Sequence, residues 1–189
     1  MKLHLIQPRE LFGPEEREFE LCYCWTRNDQ TFDEVTAPEG RPTFSEMFRM
    51  CKPDMVNVIA NSDIYFDDTI REPIGANEVR ALSRWDIQAD GSAKLWDHQD
   101  SQDAWVIFGG PHEVDAPFTM GTPGCDNALL WALQEAGWRV TNPSKTIKAY
   151  HLHRVDFRSY LSGESGKARG GAKLYRLPPP YAFCKPHEL

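Results

Sequence analysis

The sequence predicts an α/β protein in which one mixed β-sheet is flanked by helices. Short apolar runs rich in β-branched residues alternate with stretches whose apolar residues recur at helical spacing, and such alternation is typical of α/β folds. The length of 189 residues, 41% of them hydrophobic, suffices for one domain but is short for two. We predict a domain over residues 1–160, followed by a flexible loop and C-terminal tail over 161–189, because that stretch is rich in glycine, serine and proline.

The first half of the chain contains three predicted elements. Residues 19–25 are an apolar strand candidate. Residues 43–50 form a predicted helix, since their apolar residues recur at helical spacing and either Thr43 or Pro42 can open it. Residues 55–60 are largely apolar and β-branched, as expected for a strand at the centre of a sheet.

The second half contains a predicted hairpin, a helix and further strands. Segments 81–88 and 94–97 flank Asp90-Gly91, a dipeptide that favours a tight hairpin turn. Segment 125–136 is the clearest helix, with one apolar face and Gly137 as its C-terminal cap. The remaining strand candidates are 104–108, 139–140 and 146–153. This order predicts an antiparallel portion in the second half of the sheet.

Charge and composition exclude several classes of protein. The net charge of −7 argues against a uniformly basic surface for generic nucleic-acid binding. The longest apolar run, 104–108, is far too short to span a membrane, and residues 1–11 lack the apolar stretch of a signal peptide. Five cysteines without a disulfide spacing pattern indicate reduced thiols. We therefore predict a cytoplasmic protein.

Two polar residues follow the predicted central strand 55–60. Asn61 and Asp63 are two positions apart, so in extended backbone their side chains point the same way. Ligands of open α/β sheets bind outside the carboxyl ends of the strands. An oxygen pair there suits a hard divalent cation, which in turn binds a diphosphate. The alternative is a polar turn that merely closes the strand.

His151 and His153 form a second candidate feature. On the predicted strand 146–153 both imidazoles lie on one face, and neutral imidazole is a good ligand for Mn²⁺ or Zn²⁺. The alternative is a structural histidine held by hydrogen bonds.

Asp126 lies in the first turn of the clearest helix, after a loop framed by Gly121 and Gly124. The helix dipole would keep this carboxylate ionised, as a general base requires. The alternative is an ordinary N-cap.

Asp103 and Arg84 are further candidates. Asp103 precedes strand 104–108 as a second carboxylate source or a strand-end turn. Arg84 would clamp a phosphate unless it is paired to Asp86 or Glu78.

Several short blocks occur in a characteristic order after the strand that ends in Asn61-Ser62-Asp63. They are Ile64-Tyr65-Phe66-Asp67, Ala81-Leu82-Ser83-Arg84-Trp85-Asp86, Asp100-Ser101-Gln102-Asp103-Ala104-Trp105, Pro123-Gly124-Cys125-Asp126-Asn127, Asn142-Pro143-Ser144 and Tyr150-His151-Leu152-His153. In this order they resemble small GT-A glycosyltransferases of plants, bacteria and large DNA viruses or phages, over roughly residues 19–160. Asn61-Ser62-Asp63 is similar to the DxD-type motif of that family, with Asn in the first place.

The resemblance implies a single GT-A-like, Rossmann-like domain that binds a nucleotide sugar with Mn²⁺ or Mg²⁺. By position, Asp63 would bind the metal directly or through water, and one of His151 and His153 would complete its coordination. The resemblance makes Asn61, Arg84 and Asp103 the donor-binding candidates. Since Asn61 replaces an acidic residue, fewer charges face the metal than in the family.

The implied reaction is transfer of a sugar from the nucleotide-sugar donor to an acceptor hydroxyl, with inversion if Asp126 is the base. A retaining route follows if no carboxylate lies on the acceptor side. Two alternatives stay open: a metal-dependent nucleotidyl- or phosphotransferase, and a catalytically silent nucleotide-sugar-binding domain.

Overall fold

The structure, a computed structural model, describes residues 2–157, 161–162 and 173–189. Within them the chain is an α/β protein with mixed sheets and a few helices, which confirms the predicted class at that level. Most of the predicted loop after residue 160 lies outside the described residues. No helix in the described ranges is both long and apolar enough to cross a bilayer.

The helices and strands have the following bounds. The helices are α1 Glu15–Thr31, α2 Phe44–Met50 and α3 Cys125–Glu135, with a 3₁₀ turn at Asp68–Arg71. The strands are β1 Leu3–Ile6, β2 Glu34–Thr36, β3 Val56–Ala60, β4 Ile64–Phe66, β5 Glu78–Leu82, β6 Arg84–Ile87, β7 Ala93–Leu95, β8 Ala104–Phe108, β9 Arg139–Thr141, β10 Ala149–His151, β11 Leu161–Ser162 and β12 Lys173–Leu174.

The main sheet has six strands in the order β2-β1-β3-β8-β5-β9. All neighbours are parallel except at β8, which runs antiparallel to both β3 and β5. Strand side chains alternate between the two faces, so Ile59 and Trp105 pack with α2 and α3 while Val58 and Val106 pack on the opposite face. Both faces of β3 are therefore buried, as its largely apolar, β-branched sequence predicts.

A second sheet, in the order β4-β10-β6-β7, covers the face of the main sheet opposite α2 and α3. The predicted hairpin is present: β6 and β7 are antiparallel, and Gly91 takes a φ of +84° in the turn between them. The predicted strand 81–88 is divided, because β5 ends at Leu82 in the main sheet and β6 begins at Arg84 in the second. Because of this division, Arg84 is the first residue of β6 and lies in the second sheet, not in the main one.

The strand predicted at 19–25 is wrong, since these residues lie in the middle of helix α1. The buried positions of α1 recur at helical spacing, but three of the five are polar or charged: Arg17, Glu20 and Asn28. Phe19, which made the run look apolar, is 69% exposed. The buried side-chain amide of Asn28 has a hydrogen-bond partner, because its Nδ2 donates to the Ile64 carbonyl at 2.9 Å.

The other two helices confirm their predictions. Thr43 caps α2, its hydroxyl accepting from the Glu46 amide at 3.2 Å while the Glu46 carboxylate accepts from the Thr43 amide at 2.7 Å. Helix α3 begins after Gly124 and is followed by Gly137, both at positive φ.

The C-terminal segment 177–189 lies against the domain and differs here from the predicted flexible tail. The Leu177 amide donates to the Pro123 carbonyl at 2.9 Å, the Ala182 amide to the Asn127 carbonyl at 3.0 Å, and the Cys184 amide to the Gln99 carbonyl at 3.0 Å. The segment therefore braces the start of α3 and the loop that precedes β8.

Candidate functional site

Asp63, His151 and His153 meet at one edge of the molecule. His151 Nε2 lies 3.3 Å and His153 Nδ1 3.1 Å from Asp63 Oδ2, although 88 and 90 positions separate them along the chain. Asp63 lies in the turn after β3, and β10 pairs antiparallel with β4 so that His151 is opposite Ile64. The pairing of β10 with β4 thus brings the histidines to the carboxyl end of β3.

Arg17 is a fourth member of this cluster. From the first turns of α1 its Nη2 donates to Asp63 Oδ2 at 2.6 Å, and its side chain is almost completely buried. Burial would raise the pKa of Asp63, but His151, His153 and Arg17 outweigh it and hold that pKa well below the usual range. Asp63 is therefore an ionised carboxylate surrounded by positive charge.

His151 and His153 are oriented by further hydrogen bonds. His151 Nδ1 lies 2.7 Å from Asp86 Oδ1, and His153 Nε2 lies 2.9 Å from the Phe157 carbonyl. Burial opposes the charged form of His151, yet Asp63 and Asp86 outweigh it and raise its pKa to about 9. An imidazole whose second nitrogen is bound in this way has a defined ring orientation, as ligating histidines usually have.

The chemistry of these donors fits a divalent cation. One carboxylate oxygen and two imidazole nitrogens lie within 4.8 Å of one another. Two nitrogen ligands favour Mn²⁺ over Mg²⁺, which prefers oxygen. Binding requires that His151 lose its proton and that a cation approach despite Arg17. All hydrogen bonds from described residues to the Asp63 carboxylate go to Oδ2.

Asn61, Arg84 and Asp103 form a second group beside the cluster. Asp103 accepts from Asn61 Nδ2 at 2.9 Å on one oxygen and from Arg84 Nη1 at 3.2 Å on the other. Arg84 Nε also donates to Asp86 Oδ1 at 2.9 Å, so the alternative pairing with Asp86 is present. Asp86 in turn contacts His151, which joins the two groups into one continuous network.

This network lines a cleft of about 430 Å³. Six of the residues singled out from the sequence are among its lining residues: Asn61, Asp63, Arg84, Asp103, His151 and His153. Arg17, Phe12 and Gly121 also contribute to its walls. The cleft therefore combines the ionised carboxylate of Asp63, two imidazoles and three guanidinium groups, those of Arg17, Arg41 and Arg84, a set suited to an anionic ligand and a cation together.

Asp126 is not among the described residues that line the cleft. It is partly buried at the start of α3, where the Cys125 thiol lies 3.2 Å from its Oδ1. Its side chain makes no capping hydrogen bond, and the N-cap is Gly124, so the N-cap alternative is wrong. Burial and the neighbouring Asp103 raise the pKa of Asp126 to about 7. That direction is opposite to the prediction, because desolvation and the charge of Asp103 outweigh the hydrogen bonds that stabilise the ionised form.

Sequence reasoning missed Arg17 and its partner Glu20, whose Oε2 accepts from Arg17 Nη1 at 2.9 Å. The strand predicted at 19–25 left no helix in this region, so nothing indicated that Arg17 and Glu20 share one buried helical face. The helical spacing of Arg17, Glu20, Cys24 and Asn28 after Pro14 was the signal that would have placed them on one buried face.

No protein-family model matches this chain, and no curated protein matches it significantly. The resemblance to GT-A glycosyltransferases thus stays one of short motifs in a common order.

Proposed function

We propose that this chain is a metal-dependent glycosyltransferase of GT-A type that uses a nucleotide-sugar donor. The observation that carries the proposal is the meeting of Asp63, His151 and His153 at the carboxyl end of β3, inside a cleft that Arg84 and Asn61 also line. Open α/β sheets bind their ligands at this end of the strands.

The chain's own residues have distinct roles in this proposal. Asp63, His151 and His153 would hold Mn²⁺, which when bound would neutralise charge on the donor diphosphate. Arg84 presents its guanidinium to the phosphates, held in place by Asp86 and Asp103. Asn61 donates its amide to Asp103 and lines the cleft, where it would contact the ribose of a bound donor.

Asp126 is the candidate base. It takes the proton of the acceptor hydroxyl as that oxygen attacks the anomeric carbon, while the bond to the nucleoside diphosphate breaks with inversion. Support comes from its pKa of about 7, which suits a general base at neutral pH. Asp103 and Arg84, which line the cleft, are both close enough to affect that pKa.

Thermal denaturation with Mn²⁺ and a panel of nucleotide sugars tests the metal and the donor together. A ligand that binds only the folded protein raises the melting temperature, by RT ln(1 + [L]/Kd) in free energy. We expect Mn²⁺ with the correct donor to raise it, and Asp63→Asn to abolish the rise. Asp54→Asn, the same change at the exposed opposite end of β3, is the matched control. A rise that persists in Asp63→Asn would refute the metal assignment.

Product analysis then separates the reactions. Release of a nucleoside diphosphate indicates glycosyl transfer, whereas release of pyrophosphate indicates nucleotidyl transfer and would overturn the proposal.

A second candidate function is a catalytically silent nucleotide-sugar-binding domain. The ion pair between Arg17 and Asp63 favours it, because that pair already neutralises the carboxylate without a cation. In that case a donor raises the melting temperature equally with and without Mn²⁺, and no product forms.

A further inference from the structure

The guanidinium of Arg17 occupies the candidate metal site from the side of helix α1. Its Nη2 donates to Asp63 Oδ2 at 2.6 Å. Its Nη1 donates to Glu20 Oε2 and to the Leu152 carbonyl, each at 2.9 Å. The side chain is only 2% exposed, so a full positive charge is buried against the oxygen that would bind a metal.

Arg17 and a divalent cation compete for the same carboxylate, that of Asp63. Asp63 Oδ2 already accepts from Arg17, and both histidines lie within 3.3 Å of it. A cation bound to that oxygen would lie at close range from the Arg17 guanidinium. Two positive groups at that separation repel strongly where water is largely excluded. A cation at this carboxylate is therefore bound more weakly while Nη2 keeps its contact with Asp63 than after that contact is released.

We propose that Arg17 is the resident counter-ion of Asp63, which keeps the three metal ligands together until a divalent cation displaces it. This inference rests on the proposed function in taking Asp63, His151 and His153 as the metal ligands. Arg17 thereby sets the affinity of the site for the cation.

The contacts of Arg17 allow such a displacement. Glu20 and the Leu152 carbonyl hold Nη1, so Nη2 can leave Asp63 while the rest of the guanidinium stays anchored. Arg17 lines the cleft, and its Nε has no hydrogen-bond partner among the described residues. Because Arg17 lines the cleft, phosphate oxygens of a bound donor would be strong acceptors for Nη2 once it leaves Asp63.

Titration with Mn²⁺ alone, monitored by the electron paramagnetic resonance of the free ion, measures this competition without any turnover. We expect Arg17→Gln to bind Mn²⁺ about tenfold more tightly than the wild type, because the competing charge is gone. Arg17→Lys, which keeps the charge, should stay close to the wild type. Glu20→Gln should bind more weakly, because the guanidinium then has Asp63 as its main anionic partner.

Arg9→Gln is the matched control. It removes one arginine charge from an ion pair with the exposed Asp29, outside the candidate ligand set, and should leave the Mn²⁺ affinity unchanged. Circular dichroism checks that each variant is folded. If Arg17→Gln does not fold, the loss of affinity in Glu20→Gln carries the test.

The outcomes separate this inference from the proposed function. Wild-type binding that is unchanged in Arg17→Gln and Glu20→Gln overturns the role of Arg17 and leaves the metal site intact. Binding in Arg17→Gln alone supports the competition but overturns metal dependence of the wild type. No Mn²⁺ binding in any folded variant overturns both.

Discussion

Replacing Asp126 with Asn is expected to stabilise the protein more at pH 8 than at pH 5. The folded-state pKa of Asp126 is raised from 3.8 to about 7, by burial first and by Asp103 second. Between these two values the folded protein holds a proton that the unfolded chain has lost. The contribution of Asp126 to stability therefore falls as pH rises through this window and stops falling above about pH 7.

The size of the effect follows from the pKa. One pKa unit corresponds to about 1.4 kcal/mol. Raising the pH from 5 to 7 can therefore lower the contribution of Asp126 to the free energy of unfolding by about 3 kcal/mol. Asp126 keeps some contact with solvent, which reduces the expected difference to about 1–2 kcal/mol. In a domain of this size that corresponds to a shift of roughly 2–8 °C in melting temperature.

The assay is urea or thermal denaturation of the wild type and Asp126→Asn at pH 5 and pH 8. At each pH the free energy of unfolding of the wild type is subtracted from that of Asp126→Asn. The difference between the two results then excludes any effect of the amide that does not depend on pH. Asp103→Asn should reduce the double difference, because its charge is the second cause of the raised pKa. Equal stabilisation at both pH values would show that Asp126 has an ordinary pKa and would remove the physical basis for its role as a base.

Two further predictions follow from the site and its support. If Asp126 is the base of the proposed sugar transfer, kcat/KM should rise with pH to half its maximum near pH 7, since only the ionised carboxylate accepts a proton; a profile already flat at pH 5.5 would contradict this. Asn142→Ala should destabilise the protein by about 2–4 kcal/mol in urea, because Asn142 is fully buried and its Nδ2 donates to Ser83 Oγ and to the Cys184 carbonyl, each at 2.9 Å. It should also speed proteolysis of the C-terminal segment, while Gln134→Ala on the exposed face of α3 should do neither.

Local patterns were sufficient for much of the fold. The β-branched run at β3, the Asp90-Gly91 turn and the apolar face of α3 each predicted an element that is present. In these segments the residues that pack are apolar, so the spacing of apolar residues reports the buried face directly. The prediction for helix α1 was wrong because its buried face carries polar residues, so apolar spacing did not mark that face. These residues are Arg17, Glu20 and Asn28, and they bind partners in distant segments of the chain.

The candidate site was likewise predictable from the sequence only in part. The spacing of Asn61 and Asp63 after β3, and of His151 and His153, was enough to nominate ligands. That these residues meet depends on the pairing of β10 with β4, in which His151 lies opposite Ile64, and no local pattern encodes a contact between segments so far apart along the chain.

Residue types and their spacing along the chain established the α/β class, most elements of the sheet and the chemistry available for a site. The folded arrangement alone established that Arg17 shares the carboxylate of Asp63 and that Asp126 has a raised pKa beside Asp103. The reason is physical: charge interactions and desolvation depend on distance and burial in space, and these are properties of packed elements rather than of neighbouring residues.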